Sequence, residues 1–372
     1  MAGTPPRIFV SAGEPSGDQH GAAVVSALAA QLPGAVIDGF GGPRMAAAGA
    51  QVRFPMEGYT AFGFVEILGK IPAHLRLLRT LEAEFRQGRY DLLIVIDYPG
   101  FHIRLAEAAR RHGVKVLYYI APQLWAWRPG RARRLAKATD RLAVVLPFEA
   151  EFFAGHGIAA EYVGHPLLDR PPLPTRAVSR SALGLAGDAR VLGLFPGSRT
   201  QEIERLWPPF RQAARNLLES GRCDAVVVAG TAAGSYPGSD GFLLHRGAPE
   251  TVFSAADAAL AKSGTTTLEA ALADLPMVVA YRVNPVTSWL ARGLITVPWV
   301  SLVNLVAGRA VVDELLQHEV KPDALEKRVS PLLDRNDPVT RKQREGLREI
   351  RERLGGGGAA RRVARLAAEL LG

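Results

Sequence analysis

An aspartate at the end of an apolar run is the first residue of this sequence whose position suggests chemistry. Residues 94–96 precede Asp97, and the aromatic residues Tyr98 and Phe101 follow it. Removal of water by such neighbours raises the pKa of a carboxyl group and makes it a better proton acceptor from an alcohol. A purely structural alternative is that Asp97 forms a turn before Pro99. His102 is a rival base, although a histidine with ordinary structural partners is the more common situation.

A loop with a glycine and an arginine follows another apolar run, residues 191–195. Gly197 lets backbone amides approach a ligand, and Ser198 is a frequent residue type at a helix start. Arg199 offers paired donors to a diphosphate, and helix N-termini attract anions. An ordinary capped turn with a surface arginine fits these residues equally well, because short motifs often occur by chance.

Small and hydroxyl-bearing residues follow a later apolar run. Ser263, Gly264 and Thr265 precede a helix-like segment that contains Glu269. Amides and hydroxyls suit phosphates, and a carboxylate inside the helix can accept both hydroxyls of a ribose. Alone, this stretch is a capped helix start. Together with the loop at Gly197, it predicts a nucleotide site.

The loop after the first apolar run presents a conflict. Its sequence, SAGEPSGDQHG at residues 11–21, has the glycines of a phosphate-binding loop. Glu14 and Asp18, however, place two carboxylates where a phosphate would lie. The glycine spacing also differs from the G-x-G-x-x-G that a dinucleotide-binding oxidoreductase requires, which disfavours that class.

Residues 58–86 combine apolar side chains with interspersed basic residues. A basic amphipathic stretch with aromatic residues at its start suits an anionic membrane surface. Core packing explains the later part of the stretch at least as well. The earlier part is interrupted by Gly63, Gly69 and Pro72, and there we expect a lipid-facing element. Its apolar members include Phe62, Phe64, Val65 and Ile67.

The charge of the chain indicates which partners it binds, and its cysteine content indicates its compartment. The chain carries 45 Lys and Arg against 36 Asp and Glu, a net charge of +9, with a basic cluster between Arg128 and Arg141 that includes Arg131. Polyanions or anionic surfaces are therefore expected partners. Nucleic acid is not an expected partner, because we find no nucleic-acid-binding motif in the sequence. The single cysteine, Cys223, fits a cytoplasmic protein, and we find no apolar run that predicts a membrane span.

Two series of apolar runs alternate with helix-like segments and are joined by a proline-rich bridge. The candidate strands are residues 7–11, 35–40, 91–97, 114–120, 141–146 and 161–163, then 191–195, 225–229, 258–261 and 277–281. This pattern predicts an α/β fold of two Rossmann-like, doubly wound domains that face a cleft. We expect domains at 1–170 and 171–340, and a helical tail at 341–372 that packs on either domain or on another subunit.

As an ordered set, several stretches resemble the lipid-A-disaccharide synthase family, glycosyltransferases of outer-membrane lipid A assembly. The matching residues are Gly13-Glu14, Ser16-Gly17-Asp18, GFVEILG at 63–69, Ile96-Asp97, Tyr118-Tyr119-Ile120, Trp125-Ala126-Trp127, Leu146-Pro147-Phe148-Glu149, Gly164-His165-Pro166, Pro196-Gly197-Ser198-Arg199, Ser263-Gly264-Thr265, Leu268-Glu269, Pro276-Met277-Val278-Val279, Asn304-Leu305 and Ala307-Gly308-Arg309. They run in order over about residues 8–320. Pro15, Gly100 and His102 depart from the family pattern and leave the acceptor contacts open.

The resemblance implies a GT-B architecture with the sugar donor in the C-terminal domain and the acceptor facing the N-terminal one. It implies an inverting reaction in which UDP-2,3-diacylglucosamine and 2,3-diacylglucosamine 1-phosphate give the β(1→6) disaccharide 1-phosphate and UDP. No metal or other cofactor is expected. It also implies peripheral association with the cytoplasmic face of the inner membrane, and it allows a homodimer.

The resemblance also implies roles for individual residues. Asp97 takes the proton of the acceptor 6-hydroxyl, and Arg199 with the Gly197–Ser198 amides stabilises the leaving UDP. Glu14 contacts sugar hydroxyls or positions the acceptor, which resolves the conflict in the first loop. The other implied contacts are Ser16 and Asp18 for the acceptor, Glu269 for the ribose, Asn304 and Arg309 for phosphate, and Arg128 and Arg131 for the acceptor phosphate or lipid headgroups.

Three rival functions remain open. Another GT-B enzyme that uses UDP-GlcNAc is the nearest, either the peptidoglycan lipid-linked GlcNAc transferase or a UDP-GlcNAc 2-epimerase. A dinucleotide-binding oxidoreductase is a rival from a different class. A nucleotide-sensing module without turnover is the third.

Overall fold

The computed structural model describes residues 4–59, 64–126, 130, 132–232, 234–284 and 297–372. Two compact units divide the chain. The first comprises Met1–Arg170 with Gly356–Gly372, and the second comprises Pro171–Gly355. Each has its own parallel sheet with helices packed on it, and the core strands are continuously apolar because both faces of the sheet are covered.

The first unit contains a seven-stranded sheet in the order β3-β2-β1-β4-β5-β6-β7, in which all neighbours are parallel. Its strands are β1 (Arg7–Ala12), β2 (Val36–Gly41), β3 (Gln51–Pro55), β4 (Leu92–Ile96), β5 (Lys115–Tyr119), β6 (Arg141–Val144) and β7 (Ala160–Tyr162). The strand order reverses between β1 and β4. An open α/β sheet of this kind binds its ligand at the carboxyl ends of the strands where the order reverses.

The second unit repeats this plan with a six-stranded parallel sheet in the order β10-β9-β8-β11-β12-β13. Its strands are β8 (Val191–Phe195), β9 (Ala225–Ala229), β10 (Leu243–His245), β11 (Ala258–Lys262), β12 (Met277–Tyr281) and β13 (Asp313–Leu316). Here the reversal lies between β8 and β11. The expected α/β fold with two doubly wound, Rossmann-like sheets is confirmed.

Helices connect the strands in both units. The α-helices among the described residues are α1 (Pro15–Gln31), α2 (Pro43–Ala47), α3 (Phe64–Arg86), α4 (Pro99–Arg111), α5 (Ala132–Ala138), α6 (Pro147–Ala154), α7 (Arg176–Ala182), α8 (Thr200–Glu219), α9 (Pro249–Ala255), α10 (Thr265–Leu272), α11 (Leu302–Ala307), α12 (Pro322–Val329), α13 (Pro338–Leu354) and α14 (Ala359–Leu371). In the described ranges, none is long and apolar enough to cross a membrane.

The last two helices belong to different units. Helix α13 packs on α10 and α11 in the second unit, whereas α14 packs on α1 in the first. The carboxylate of Asp169 accepts hydrogen bonds from the amides of Gly358 and Ala359, and so caps the N-terminus of α14. Val363 and Leu366 bury the apolar face of α14 in the first unit.

Helix α3 is continuous through Gly69 and Pro72, where the sequence suggested an interruption. Leu77 and Leu81 on this helix are buried in the core of the first unit. Ile71 and Leu75, one turn apart, are 43% and 37% exposed. The predicted lipid-facing residue Phe62 lies outside the described residues, as do the side chains of Phe64, Val65 and Ile67.

Candidate functional site

Two acidic residues follow the strands at which the order of the first sheet reverses. Ala12, the last residue of β1, pairs with Ile96, the last residue of β4. Glu14 follows the first of these strands at the N-cap of α1, and Asp97 follows the second directly. The topology thus brings Glu14 and Asp97 to the same edge of the sheet, where a parallel α/β sheet binds its ligand.

The environment of Asp97 makes it a proton acceptor near neutral pH. Burial, the largest cause, and the negative charge of Glu14 together raise the pKa of Asp97 to about 6, against the opposing effect of a backbone hydrogen bond from Tyr98. A carboxylate with this pKa is ionised at neutral pH and still holds a proton more strongly than an ordinary aspartate. These properties are those of a general base for an alcohol.

The glycine at position 13 makes room for this site. A Cβ atom built on Gly13 would lie 2.5 Å from Cδ1 of the Tyr98 ring. Any side chain at position 13 would therefore displace Tyr98, the residue that follows Asp97. The glycine of the first loop allows close packing of two site loops, and this explains a glycine-rich sequence in an acidic loop.

Asp18 has a different role from the predicted one. Its carboxylate is 2% exposed and accepts hydrogen bonds from the backbone amides of Gly42 (2.8 Å), Arg44 (3.1 Å) and Met45 (3.1 Å). These contacts cap the N-terminus of α2, so the expectation that Asp18 contacts the acceptor is corrected. Ser16, by contrast, is exposed in the first turn of α1.

The side chain of His102 is enclosed in the protein and has partners at both ring nitrogens. Its side chain is completely buried, and burial lowers its pKa to about 4. The ring nitrogen Nε2 lies 2.8 Å from Ser11 Oγ, and Nδ1 lies 2.8 Å from the backbone carbonyl oxygen of Asp97. Both ring nitrogens of His102 therefore already have hydrogen-bond partners within the protein.

The second sheet presents the predicted nucleotide loops at its own reversal. The loop with Gly197, Ser198 and Arg199 follows β8, and the loop with Ser263 and Gly264 follows the neighbouring strand β11. The two loops are thus adjacent at the carboxyl edge of the sheet. Gly197 has a φ of 125°, and a Cβ there would lie 2.7 Å from Cβ of Glu202.

Glu202 and Lys262 connect these loops, and the sequence analysis missed both. Glu202 accepts hydrogen bonds from the amides of Ser198 (3.1 Å) and Arg199 (3.4 Å), and its Oε1 lies 3.0 Å from Nζ of Lys262. Burial works against ionisation, but Lys262 and the two amides lower the pKa of Glu202 below its usual value. The spacing of Glu202 three residues after Arg199 is the sequence signal for such a cap.

Glu202 already accepts the amides of Ser198 and Arg199. The side chains of Arg199 and Lys262 are therefore the groups at this edge of the sheet that can meet an anion. The side chain of Arg199 is 81% exposed, and that of Lys262 is 22% exposed. Arg199 provides paired donors, and Lys262 provides a compact charge. Both suit the charge of a diphosphate.

The loop after β11 is held from two sides. The amide of Ser263 donates to the carbonyl of Ala280 (3.1 Å), and its hydroxyl donates to the carbonyl of Val300 (2.6 Å). Thr265, the first residue of α10, is exposed, and Glu269 is half-buried one turn further along the helix. The loop is thus fixed at Ser263 and open at Thr265.

The contacts of Asn304 differ from the predicted phosphate contact, whereas the predicted phosphate contact of Arg309 stays a prediction. Asn304 is 1% exposed, its amide group donates to Val312 O (2.9 Å) and Glu314 Oε1 (2.8 Å), and its oxygen accepts the amides of Val311 (2.7 Å) and Val312 (3.0 Å). Asn304 therefore holds the turn after α11, and the expected phosphate contact is corrected. Arg309 forms an ion pair with Glu349.

Two of the predicted acceptor or headgroup contacts cannot be placed. Arg128 and Arg131 lie outside the described residues. Within the described ranges, no group of His, Cys, Asp and Glu side chains has the arrangement of a metal site.

Two doubly wound parallel sheets are the architecture of the GT-B class, and solved structures of glycosyltransferases and epimerases share this fold. The structure titled the glycotransferase of kitacinnamycin matches with a TM-score of 0.64 at 18% identity, covering 99% of this chain and 100% of that one. The calicheamicin glycosyltransferase matches with 0.62 at 19%, covering 98% of each. A UDP-GlcNAc 2-epimerase from Neisseria meningitidis bound to UDP-GlcNAc matches with 0.57 at 10%, covering 98% and 99%.

Within that class, the chain belongs to the lipid-A-disaccharide synthase family. The family model described as lipid-A-disaccharide synthetase matches residues 8–368. The lipid-A-disaccharide synthase of Myxococcus xanthus is 41% identical over 377 residues, which cover 99% of this chain and 98% of that protein. The lipid-A-disaccharide synthase of Geobacter metallireducens is 40% identical over 386 residues, covering 100% and 99%. The predicted family is confirmed.

Proposed function

We propose that this protein transfers 2,3-diacylglucosamine from UDP to the 6-hydroxyl of 2,3-diacylglucosamine 1-phosphate, giving the β(1→6) disaccharide 1-phosphate and UDP. Family membership supports the substrates. The observation that carries the chemistry is the ionisable Asp97, with a pKa of about 6, at the reversal of the first sheet. The first unit binds the acceptor and carries the base, and the second unit binds the UDP-sugar.

The reaction is a single displacement in this proposal. Asp97 takes the proton of the 6-hydroxyl as that oxygen forms a bond to the anomeric carbon of the donor. The bond from that carbon to the β-phosphate oxygen breaks, and UDP leaves with its electron pair. Attack opposite to the leaving group inverts the anomeric centre. A positioned general base typically contributes about 10²–10⁴-fold in rate.

Cationic side chains stabilise the leaving UDP in this proposal. Arg199 is largely exposed, and Lys262 at the end of β11 pairs with the same Glu202 carboxylate, so both can meet the diphosphate as its charge develops. We propose Glu269 as the ribose contact and Thr265 as a phosphate contact, while Ser263 and Gly264 fix the conformation of the loop.

Because Arg199 and Lys262 supply positive charge to the diphosphate, we also propose that turnover needs no divalent metal. Turnover that persists in excess chelator is the expected result.

Product analysis tests the reaction. The purified protein is incubated with UDP-2,3-diacylglucosamine and the acceptor, and the products are identified by mass spectrometry. We expect the disaccharide 1-phosphate and an equal amount of UDP, with a strong preference for the diacylated donor over UDP-GlcNAc. Preferred turnover of UDP-GlcNAc would overturn the proposal, as would binding of UDP without any turnover.

We also propose that the protein associates peripherally with a membrane through α3. Ile71 and Leu75 expose an apolar strip on this helix, and Arg76 and Arg79 are exposed beside it. Replacement of Ile71 and Leu75 together by glutamine is expected to reduce sedimentation with phosphatidylglycerol vesicles. Val178→Gln is the matched control, because Val178 is 60% exposed on α7 in the second unit. Equal sedimentation of both variants would contradict this assignment.

A further inference from the structure

The backbone at the end of β4 has an unusual conformation. Asp97 and Tyr98 are consecutive non-glycine residues, and each has a φ of 50°. The left-handed region costs a residue with a Cβ atom on the order of 1 kcal/mol or more, and such conformations persist only where the surroundings hold them. The contacts that hold this peptide therefore determine where the carboxylate of Asp97 is presented.

Hydrogen bonds with residues of two elements, β5 and α4, fix the backbone of Asp97. Its amide donates to the carbonyl of Tyr119 in β5 (3.0 Å). Its carbonyl oxygen accepts the hydroxyl of Tyr118 (2.8 Å) and lies 2.8 Å from Nδ1 of His102. Both polar groups of this backbone unit are thus held by residues outside the strained turn.

The chemistry of these partners determines the protonation of His102. A carbonyl oxygen can only accept, so Nδ1 carries the proton and donates it to Asp97. Burial lowers the pKa of His102 to about 4, so the ring is neutral. Nε2 then accepts from the hydroxyl of Ser11, 2.8 Å away on β1. His102 thus links β1 to the carbonyl of Asp97 across the sheet reversal.

We infer that His102 is a positioning residue, which fixes the strained Asp97 peptide through its Nδ1–H group and thereby aims the carboxylate. The inference rests on the proposed role of Asp97 as the base. His102 itself contacts no reacting atom in this account. An asparagine amide at this position can donate from nearly the same place as Nδ1.

Two amide substitutions separate positioning from simple packing. In His102→Asn the side-chain amide can replace the Nδ1 donor, whereas in His102→Gln it reaches the place of Nε2 and loses the donor to Asp97. We expect kcat of His102→Asn within about fivefold of wild type, the scale of one neutral hydrogen bond. We expect kcat of His102→Gln to fall by about 10²-fold, because small displacements of a reacting group have such effects. KM for the UDP-sugar is expected to stay unchanged in both.

The outcomes are distinguishable. Equal loss of kcat in the two variants, or wild-type kcat in both, would overturn the positioning role, and urea unfolding of each variant reports its stability separately. Should either variant fail to fold, Tyr118→Phe removes the other donor to the same carbonyl; lower kcat at constant KM is expected, and unchanged kcat would overturn the account. Asp97→Asn is measured alongside. Full turnover by Asp97→Asn would overturn the base assignment itself, and with it this inference.

Discussion

Glu14 and Asp97 follow paired ends of neighbouring strands, and the negative charge of Glu14 adds to burial in raising the pKa of Asp97. The fold therefore places a like charge beside the proposed base. Two nearby carboxylates do not ionise independently, and the one in the more buried position binds its proton more strongly. This coupling connects the sheet topology to the pH dependence of the reaction.

The first prediction concerns that pH dependence. Because the base must be ionised, we expect kcat/KM of the wild-type enzyme to fall as the pH drops through about 6, the pKa of Asp97. Glu14→Gln removes a charge that raises this pKa, so the acidic limb of the profile should move to lower pH. Glu151→Gln, at an exposed position on α6, is the control. An acidic limb that is identical in all three proteins would contradict the coupling.

The second prediction concerns stability. The folded protein raises the pKa of Asp97 from its ordinary value of 3.8 to about 6, so the stabilising effect of the bound proton is complete below pH 3.8 and is lost as the pH rises through 6. Asp97→Asn, which is always neutral, should therefore be more stable than wild type above pH 6, by at most about 3 kcal/mol.

Urea unfolding at pH 8 and pH 4 measures this difference, which we expect to disappear at the lower pH. Asp240→Asn, at an exposed position in the second unit, should show no comparable gain. A loss of stability in Asp97→Asn at pH 8 would mean that the ionised carboxylate is well compensated in the fold.

The third prediction concerns the exposed cation of the second unit. Arg199→Ala should weaken UDP binding by roughly 10–100-fold, the scale of a charge-assisted hydrogen bond, and should also lower kcat. Isothermal titration with UDP measures the affinity. Arg222→Ala is the matched control, because Arg222 lies beyond the other end of α8. Equal UDP affinity of Arg199→Ala and Arg222→Ala would remove Arg199 from the donor site.

The fourth prediction separates two residues that the sequence grouped together. Asn304→Ala leaves the buried amide of Val312 and the partly buried amide of Val311 without their acceptor, so it should destabilise the fold by about 2–4 kcal/mol. Arg309→Ala removes only an ion pair on the surface and should cost less than about 1 kcal/mol. Urea unfolding compares them, and an Asn304→Ala variant as stable as Arg309→Ala would contradict the structural role of Asn304.

The sequence predicted the central strands of both sheets but missed three at their edges. Strands β1, β4, β8 and β11 are continuous apolar runs because both faces are covered. The missed strands β3, β10 and β13 lie at sheet edges and are half exposed, so their residues need not be apolar. Periodicity and hydrophobicity report burial, and edge strands carry little of that signal.

In the candidate site, too, some features were predictable from the sequence and others were not. The positions of Asp97 and of the Gly197 loop follow from their place directly after core strands, which a sequence reveals. The contacts of Asp18 with α2 and of Asn304 with the turn after α11 depend on where distant backbone amides lie, which a sequence does not reveal. For the same reason the link from Ser11 through His102 to Asp97 became visible only in three dimensions.

The most direct test of the account is the turnover of Asp97→Asn, with UDP binding measured in parallel. We expect a loss of about 10²–10⁴-fold in kcat, because the general base is removed, and an unchanged UDP affinity, because the proposed nucleotide contacts lie in the second unit. Turnover within a few-fold of wild type in a variant that still binds UDP would contradict the central claim that Asp97 is the base.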